Sequence, residues 1–364
     1  MAATRLARAA SPGNDGWTRE LLVASFCKPT VALFESMVNS LAINEAPPAM
    51  MSLMRSAKIA AWRKSAANWD QRVVGMSSAI AKVVWKILTA QHLSFHNLTR
   101  NIATFSKGGA IGVIRWAEAA YTRGDSVLVA DVVDAYWAVD RVELMQHLVD
   151  TNSPLTYFFA AIYGEPAACN FGAKCFRSSS GIIPGCGGGS LLFAIEMQRQ
   201  TKTTFSDPKV SAMYADDIVM LGEDRYRDAE RAVAPKKLAK LRAVSHGPLS
   251  TTFRSARAPA IKLLGAYIGD VAEAQAMFQE DVQERLQQLT RIVTSQVSMQ
   301  TKWALIRTVE LGIRWKFAAS NPQVTNVIAS QVDDAIFVAI TALTEGTPNH
   351  KSMDEGRHER QRGN

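Results

Sequence analysis

The sequence feature that most constrains the fold is a pair of adjacent aspartates between two short apolar runs. Asp216 and Asp217 follow residues 210–214 and precede residues 218–221. This pattern predicts a hairpin of strand, tight turn and strand, with both carboxylates at the turn. Two carboxylates so close repel each other unless a cation lies between them, and their hard oxygen ligands favour magnesium. The segment Tyr-Ala-Asp-Asp alone is also compatible with an exposed turn that tolerates aspartate.

A second acidic residue stands at the end of another apolar run. Asp131 closes residues 126–131, a short segment of β-type composition. Functional groups are often found at the ends of such strands, although an aspartate there also commonly caps the next helix. If this strand lies beside the hairpin, its carboxylate joins those of Asp216 and Asp217. Three carboxylates can hold two metal ions roughly 3.5 to 4 Å apart, an arrangement that supports phosphoryl transfer.

A glycine-rich loop precedes an apolar helical segment. Residues 181–189 contain five glycines, and the apolar run that begins at Leu191 follows them. Glycines let a backbone approach a nucleotide or a template closely and direct amide groups at phosphate. The loop is not of the Walker type, because no Gly-Lys-Ser or Gly-Lys-Thr follows. A flexible linker is the alternative, and the helix directly after the loop argues against it.

The charge distribution favours a nucleic-acid partner. The chain of 364 residues has a formal net charge of +8 and a pI near 9.3. Residues 46–117 alone hold ten basic residues and one acid, Asp70, a net charge of +9 from 10 − 1, so the rest of the chain is nearly neutral. A solvated surface normally mixes both signs, so this segment predicts a surface that faces phosphate groups.

Cysteine and histidine patterns argue against a disulfide framework and a zinc site. The four cysteines form no Cys-x-x-Cys pair, which is typical of reduced thiols in an intracellular protein, nuclear or cytoplasmic. His92 and His96 are four residues apart, but no Glu follows His92 as in a His-Glu-x-x-His motif and no third ligand is evident. No apolar run approaches the roughly 18 to 20 residues of a membrane span.

Apolar periodicity predicts a chain with a few short strands and many helices. The predicted strands comprise residues 126–131, the aspartate hairpin and residues 262–268. The predicted helices comprise residues 50–64, 77–90, 142–149, 190–200, 223–244, 270–293, 301–317 and 322–343. Residues 346–364 are polar and charged, and they are expected to form a disordered tail.

The order of these elements resembles the palm of a reverse transcriptase, and most of all that of non-LTR (LINE-type) retrotransposons. An acid-ended strand, a glycine loop with its helix, a Tyr-Ala-Asp-Asp hairpin and a Leu-Leu-Gly strand follow each other in that family's order. Residues 11–16, Ser-Pro-Gly-Asn-Asp-Gly, are similar to its SPGPDG segment. Residues 72–78 resemble its RPI segment, and residues 131–141 match the strand with its first catalytic acid. The resemblance spans roughly residues 9–345.

The resemblance implies roles for individual residues. Asp131 and Asp216 would bind two Mg²⁺ ions, or Mn²⁺, with the Val132 carbonyl assisting and Asp217 in support. Tyr136 would be the aromatic gate under the sugar, where a ring clashes with a 2′-hydroxyl, although a tyrosine after a strand is also a common core residue. The remaining roles are neutralisation of the triphosphate by Arg72 and by Lys64 or Lys58, close approach of template or nucleotide at Gly185, and a primer grip at Leu264 and Gly265.

The resemblance also implies the fold, the domains and the partners. It implies an α+β right-hand polymerase fold with helical fingers, a ferredoxin-like antiparallel palm and a helical thumb. The fingers would comprise residues 1–125, the palm 126–270 and the thumb 271–345, with 155–178 open as a further part of the fingers. The partners would be an RNA template, a DNA primer and dNTPs, without a membrane.

Three departures from the family pattern bear on activity. Pro184 stands where the family has glutamine, Val73 stands where it has proline, and residues 246–249 lack the lysine that the family offers as a possible proton donor. Two other functions therefore remain open. One is a decayed, inactive retroelement fragment that only binds nucleic acid. The other is a magnesium-dependent nucleotide cyclase, against which the basic segment and the helical thumb argue.

Overall fold

The computed structural model describes residues 12–25, 28–63, 71–100, 102–201, 207–232 and 238–344. Lys64 and the tail 346–364 lie outside the described residues, as does the side chain of Arg72. The chain divides into two compact units, which are described separately below. The first comprises residues 1–109, 130–220 and 224–240, and the second comprises residues 110–129, 221–223 and 241–364.

The helices, in chain order, are α1 (Arg19–Ser25), α2 (Lys28–Ala42), α3 (Pro48–Arg55), α4 (Ala79–His92), α5 (Gly109–Thr122), α6 (Arg141–Asp150), α7 (Thr156–Tyr163), α8 (Gly189–Thr201), α9 (Glu223–Ala232), α10 (Val271–Thr294), α11 (Met299–Ala319), α12 (Pro322–Thr325) and α13 (Ala329–Thr344). The strands are β1 (Ala57–Arg63), β2 (Gln71–Ser77), β3 (Val127–Val132), β4 (Ala167–Phe171), β5 (Lys174–Ser178), β6 (Ser211–Tyr214), β7 (Asp217–Leu221), β8 (Leu238–Val244), β9 (Ala260–Leu263) and β10 (Ala266–Gly269).

The described strands include two four-stranded sheets. One has the strand order β2-β1-β4-β5, in which β1 pairs with β2 and β4 pairs with β5 in antiparallel fashion, and β1 and β4 are parallel. The other has the order β6-β7-β3-β8. Its central strand β3 is apolar, and Val127, Leu128, Val129 and Ala130 are fully buried. A strand buried on both faces reads as a continuous apolar run, which explains its sequence.

Asp15, from the segment similar to SPGPDG, caps the N-terminus of α4. Its Oδ2 accepts hydrogen bonds from the Ser78 hydroxyl (2.7 Å) and from the Ala79 backbone N–H (3.0 Å). Such a carboxylate satisfies donors that a helix leaves unpaired at its first turn. A Cβ at Gly13 would lie 2.8 Å from the backbone of Ser77, so only glycine fits there. These contacts therefore hold residues 12–16 against the N-terminus of α4.

Three sequence predictions of secondary structure are wrong. The helix predicted for residues 50–64 ends at Arg55, because β1 pairs with β2 along its whole length and this pairing outweighs the helix propensity of its alanines. The helix predicted for residues 223–244 ends at Ala232, and β8 lies beside β3. The single strand predicted for residues 262–268 is the hairpin β9–β10, whose turn residues Leu264 and Gly265 both have positive φ, as a type I′ turn requires.

The other predicted elements are confirmed. The hairpin β6–β7, the strand β3 and the helices α4, α6, α8, α10 and α11 agree with prediction within a few residues, and α12 and α13 occupy the last predicted helix. The mixture of helices and antiparallel sheets is compatible with the predicted α+β class. The right-hand polymerase arrangement and the fingers, palm and thumb boundaries stay predictions.

The second unit packs α10 and α11 against the hairpin β9–β10, and α13 packs against α10 and α11. Phe278 is fully buried and contacts Tyr267 and Phe317 edge-to-face, with ring centroids 6.0 and 5.1 Å apart. Asp270 starts α10 by accepting hydrogen bonds from the N–H groups of Ala272 and Glu273. This core holds the turn of β9–β10 against the helices of the same unit.

Asp281 on α10 gathers two ammonium groups and a phenol within that core. The side chains of Lys262, Lys316 and Tyr267 all donate hydrogen bonds to its Oδ2. Burial alone would raise the pKa of Asp281, but the hydrogen bonds from Lys262 and Lys316 outweigh it and hold that pKa well below its ordinary value. Burial lowers the pKa of Lys316, and both burial and the bond to Asp281 raise that of Tyr267.

Length and composition would allow the segment Pro322–Thr344 to cross a membrane, with 23 residues and a mean hydropathy of 1.5. This runs against the sequence prediction that no apolar run approaches such a length. Core helices of soluble proteins meet the same criterion when they are mostly buried. Here 28% of the apolar window is buried, and Val332, Ala339 and Leu343 belong to the apolar core of the second unit. The absence of a membrane partner stays a prediction.

His96, which ends the 3₁₀ turn after α4, makes the stability of the first unit depend on pH. Its Nε2 lies 3.4 Å from the Ser153 hydroxyl. Burial lowers the pKa of His96 to about 4, and the nearby His147 and His92 act in the same direction. The folded chain therefore holds the imidazole in its neutral form, whereas the unfolded chain binds a proton at a higher pH.

We expect the free energy of unfolding to fall as the pH drops from about 6.5 to about 4, because only the unfolded state gains a proton on His96 in that window. His96→Asn should remove about 1 kcal/mol of this loss, a value reduced for the partial exposure of the ring. Urea unfolding at a series of pH values measures the slope, with His246→Asn as the control. Equal slopes for His96→Asn and the wild-type chain would contradict the expectation.

Candidate functional site

The turn between β6 and β7 presents Asp216 to solvent. Tyr214 pairs with Asp217 across a two-residue turn, in which Ala215 has a φ of +53° and Asp216 is exposed. The N–H of Ala215 donates to the Thr104 hydroxyl (2.8 Å), which ties the turn to the 3₁₀ segment Ala103–Phe105. Asp217 begins β7 and is half-buried, so the two carboxylates differ in environment: one lies at the turn and the other within the strand.

A backbone hydrogen bond links the Asp216 turn to the strand that carries Asp131. The N–H of Val132 donates to the Asp216 carbonyl oxygen (3.0 Å), and β3 is the neighbour of β7 in the sheet. Asp131, one residue earlier in β3, has a side chain that is 21% exposed. The main chains of two acids that are distant in sequence therefore lie side by side at one end of this sheet.

Lys240 places an ammonium group on Asp131. Its Nζ lies 2.6 Å from Asp131 Oδ2, and its side chain is 66% exposed. It belongs to β8, the strand on the other side of β3 from the hairpin. Its ammonium group thus compensates part of the negative charge at this end of the sheet, where charge repulsion would otherwise separate the acids.

The donor groups fit a divalent ion by chemistry, since carboxylate and carbonyl oxygens are the ligands that magnesium prefers. Their arrangement does not form a closed cage. Within the residues that the structure describes, no three Asp, Glu, His or Cys side chains form a group that could hold a metal ion. The metal roles of Asp131, Val132, Asp216 and Asp217 stay predictions.

Tyr136 lies close to this acidic end on a turn after β3. Its ring packs on Phe193 of α8 with centroids 5.3 Å apart, and its hydroxyl lies 3.4 Å from the Ser190 hydroxyl. A Cβ at Gly189 would lie 3.5 Å from the ring, an ordinary contact. Burial raises the pKa of Tyr136, and the negative charge of Asp216 acts in the same direction. The ring is therefore partly packed on α8, and the negative charge of Asp216 acts on its hydroxyl group.

Gly185 has a packing reason to be glycine. Its φ is +94°, and a Cβ there would lie 2.2 Å from the Gly75 carbonyl oxygen of β2. The Gly75 N–H donates a hydrogen bond to the Pro184 carbonyl oxygen (2.7 Å), and the Ser77 hydroxyl donates one to the Gly185 carbonyl oxygen (3.2 Å). The loop is thus bound to β2, and its approach to template or nucleotide stays a prediction.

The residues predicted to contact the triphosphate and the primer make no described contact with Asp131, Asp216 or Asp217. Lys64 lies outside the described residues, and of Arg72 only the backbone in β2 is described. Lys58 lines a separate open cavity of about 520 Å³ together with Asn170 and Lys174. Leu264 and Gly265 form the β9–β10 turn in the second unit, where the Trp315 indole N–H donates to the Leu264 carbonyl (3.2 Å).

The chain is similar to a protein of a mobile genetic element. It is 26% identical over 231 residues to the retrotransposable element SLACS 132 kDa protein of Trypanosoma brucei gambiense. The match supports an origin in a retroelement. It covers 60% of this chain and 19% of that protein, so the chain spans about a fifth of its relative. No protein-family model matches the chain.

Two residues that shape the candidate site are not predicted from the sequence. The sequence pattern puts Lys240 within the predicted helix 223–244, and residues 246–249, where the family has a lysine, contain none. The alternation of Leu238-Ala-Lys-Leu-Arg-Ala-Val is a strand signal that could have revealed it. Arg141 was also missed: it is buried, and it donates to the carbonyls of Gly181 (2.7 Å) and Ser178 (2.9 Å). It fixes the start of the glycine loop.

Proposed function

We propose that this chain is an RNA-directed DNA polymerase of a non-LTR retroelement, which adds dNTPs to the 3′-hydroxyl of a primer. The observation that carries the proposal is the hydrogen bond from the Val132 N–H to the Asp216 carbonyl. It supports a single acidic site built from β3 and the β6–β7 turn, in a chain that is similar to a retrotransposable element protein.

Asp131 and Asp216 would hold two Mg²⁺ ions, or Mn²⁺, with Asp217 and the Val132 carbonyl in support. Bound ions of this kind lower the pKa of an attacking hydroxyl and neutralise a leaving pyrophosphate. The protein positions the acids: Thr104 restrains the Asp216 turn, and burial of β3 keeps Asp131 at the strand end. Preorganised placement of this kind is a main source of rate enhancement in phosphoryl transfer.

The basic segment 46–117 would bind the RNA template and the DNA primer. Most of its ten cations are distributed over β1, β2, α4 and α5, and of these elements β1, α4 and α5 also contribute buried apolar side chains. Lysine and arginine contacts to phosphate depend strongly on salt, so RNA affinity should fall steeply with ionic strength. Arg72 and Lys58, with Lys64, are the proposed contacts of the incoming triphosphate.

Tyr136→Ala should lower the preference for dTTP over UTP by about 10- to 100-fold, because removal of the ring opens the space for a 2′-hydroxyl. Tyr136→Phe is the matched control: it keeps the ring on Phe193 and loses only the contact to Ser190. The ratio of kcat/KM for the two nucleotides measures the effect. An unchanged ratio in Tyr136→Ala would mean that the ring only packs against α8.

Primer extension on an RNA template with dTTP and Mg²⁺ tests the proposed function. A polymerase lengthens a primer as the template directs, whereas a nucleotide cyclase would convert free nucleotide without a primer. The second candidate function is an inactive fragment that only binds nucleic acid, and Pro184 in place of the family glutamine favours it. That candidate predicts salt-dependent RNA binding without extension and without any effect of the Asp216 side chain.

A further inference from the structure

The contact between Lys240 and Asp131 brings a protein cation to the acid that the proposed function assigns to metal. The two atoms, Nζ and Oδ2, are 2.6 Å apart, which is the distance of a charge-assisted hydrogen bond. A carboxylate oxygen that accepts an ammonium group offers less negative charge to a second cation. The affinity of Asp131 for a metal ion should therefore be lower when the Lys240 ammonium group lies on its carboxylate than when it does not.

The backbone at Lys240 holds the lysine in an unusual conformation. Its φ is +53°, in the left-handed region that residues other than glycine, asparagine and aspartate seldom adopt. A residue with positive φ inside a strand interrupts the regular alternation of side chains between the two faces of the sheet, and its own side chain points in a different direction from the one that the alternation predicts. Lys240 is exposed, whereas its strand neighbours Ala239 and Leu241 are half-buried. Local strain of this kind is typical of functional positions.

The exposure of the two partners makes the contact reversible. Lys240 is 66% exposed and Asp131 only 21%, so the ammonium group reaches the carboxylate from the solvent side and can leave without unfolding the sheet. Ion pairs with one exposed partner are weak because water and salt screen them. A divalent ion carries twice the charge of an ammonium group and can displace it.

We propose that Lys240 acts as an internal cation that occupies Asp131 until a divalent ion displaces it, and that it thereby lowers the affinity of the site for that ion. This inference rests on the proposed function, because it assumes that Asp131 binds metal. It accounts for the ammonium group that lies on an acid whose donor chemistry suits a divalent ion. Lys240 is a positioning residue: it acts on the ion through Asp131.

Titration of the full chain with Mn²⁺, without nucleotide or primer, tests the inference through binding rather than activity. Lys240→Gln removes the charge and should tighten Mn²⁺ binding about fivefold, a ratio that corresponds to the upper strength of an exposed ion pair. Lys240→Arg keeps the charge and should bind about as the wild-type chain does. Lys209→Gln is the matched control, because it removes one exposed lysine charge from the same unit.

The Asp131→Asn background separates a local effect from a change in net charge. In that background Lys240→Gln should leave the Mn²⁺ affinity unchanged, since the partner of the lysine is gone. Circular dichroism checks that each variant is folded, and Lys240→Asn, which tolerates a positive φ, serves as a second neutral variant. Calorimetry or the electron paramagnetic resonance signal of free Mn²⁺ gives the affinities.

The outcomes distinguish this inference from the proposed function. Tighter binding in both neutral variants, lost in Asp131→Asn, supports the role of Lys240 even if no preparation extends a primer. Equal binding in Lys240→Gln and the wild-type chain overturns that role while leaving primer extension as a separate question. A similar gain in Lys209→Gln, or no Mn²⁺ binding in any variant, also overturns it.

Discussion

Asp216→Asn lowers the rate of primer extension about a thousandfold or more, if the acids of β3 and the β6–β7 turn hold the catalytic ions. Asparagine keeps the size of the side chain and an oxygen, but it loses the negative charge that a divalent ion requires. The turn itself should persist, because the hydrogen bonds of Ala215 to Thr104 and of Val132 to the Asp216 carbonyl do not involve the carboxylate.

Asp224→Asn is the matched control for this substitution. Asp224 lies on α9 in the same unit, and its side chain is 95% exposed. The control should extend a primer at the rate of the wild-type chain. RNA affinity should be equal in all three proteins, because the proposed contacts to phosphate lie in the basic segment. Extension that survives in Asp216→Asn would show that the turn carboxylate does not carry the reaction.

Asp281→Asn destabilises the second unit by about 3 to 5 kcal/mol, the range found when one partner of a buried ion pair is removed. The side chain of Lys316 is only 7% exposed, and it loses its anionic partner in this variant. Lys262 and Tyr267 lose the same acceptor. The loss should appear as a lower midpoint of urea unfolding, followed by circular dichroism.

A double substitution tests the mechanism of this destabilisation. Asp281→Leu together with Lys316→Met replaces the buried pair by apolar side chains and should recover much of the stability, because no buried charge is left unpaired. Asp333→Asn, an exposed position on α13, is the control and should have little effect. If Asp281→Asn unfolds at the same urea concentration as this control, the network contributes nothing to stability.

Local sequence patterns correctly predict the hairpin β6–β7 and the long helices, whose form depends on residues close together in the sequence. The β6–β7 hairpin follows from two apolar runs around a two-residue turn, and α10 and α11 follow from long amphipathic periods. Strand β1 contradicts its local pattern, because Ala-Lys-Ile-Ala-Ala has high helix propensity and only its pairing with β2 and β4 makes it extended. Strand β8 also contradicts its predicted helix, and its extended form depends on pairing with β3, which is distant in sequence.

The site depends on contacts that no local pattern contains. The acids themselves could be chosen from sequence, because an aspartate pair at a turn and an aspartate at a strand end are recognisable. Their adjacency required the strand order, in which β3 lies next to β7. Lys240 could not be matched with Asp131 without knowing that β8 borders β3 on its other side. The close approach of template or nucleotide at Gly185 stays a prediction, and the constraint that the structure shows at this glycine comes from Gly75 of β2.

Whether Asp131 and Asp216 act in one site is decided by primer extension with the wild-type chain and with Asp131→Asn, on one RNA template, alongside their RNA affinities. Asp131 lies on a different strand from Asp216, so its loss should abolish extension only if both strands build one site. If both strands build one site, the two proteins should bind RNA equally, the wild-type chain should extend the primer and the variant should not. Template-directed extension that continues without the Asp131 carboxylate, or a wild-type chain that binds RNA and never extends the primer, would contradict it.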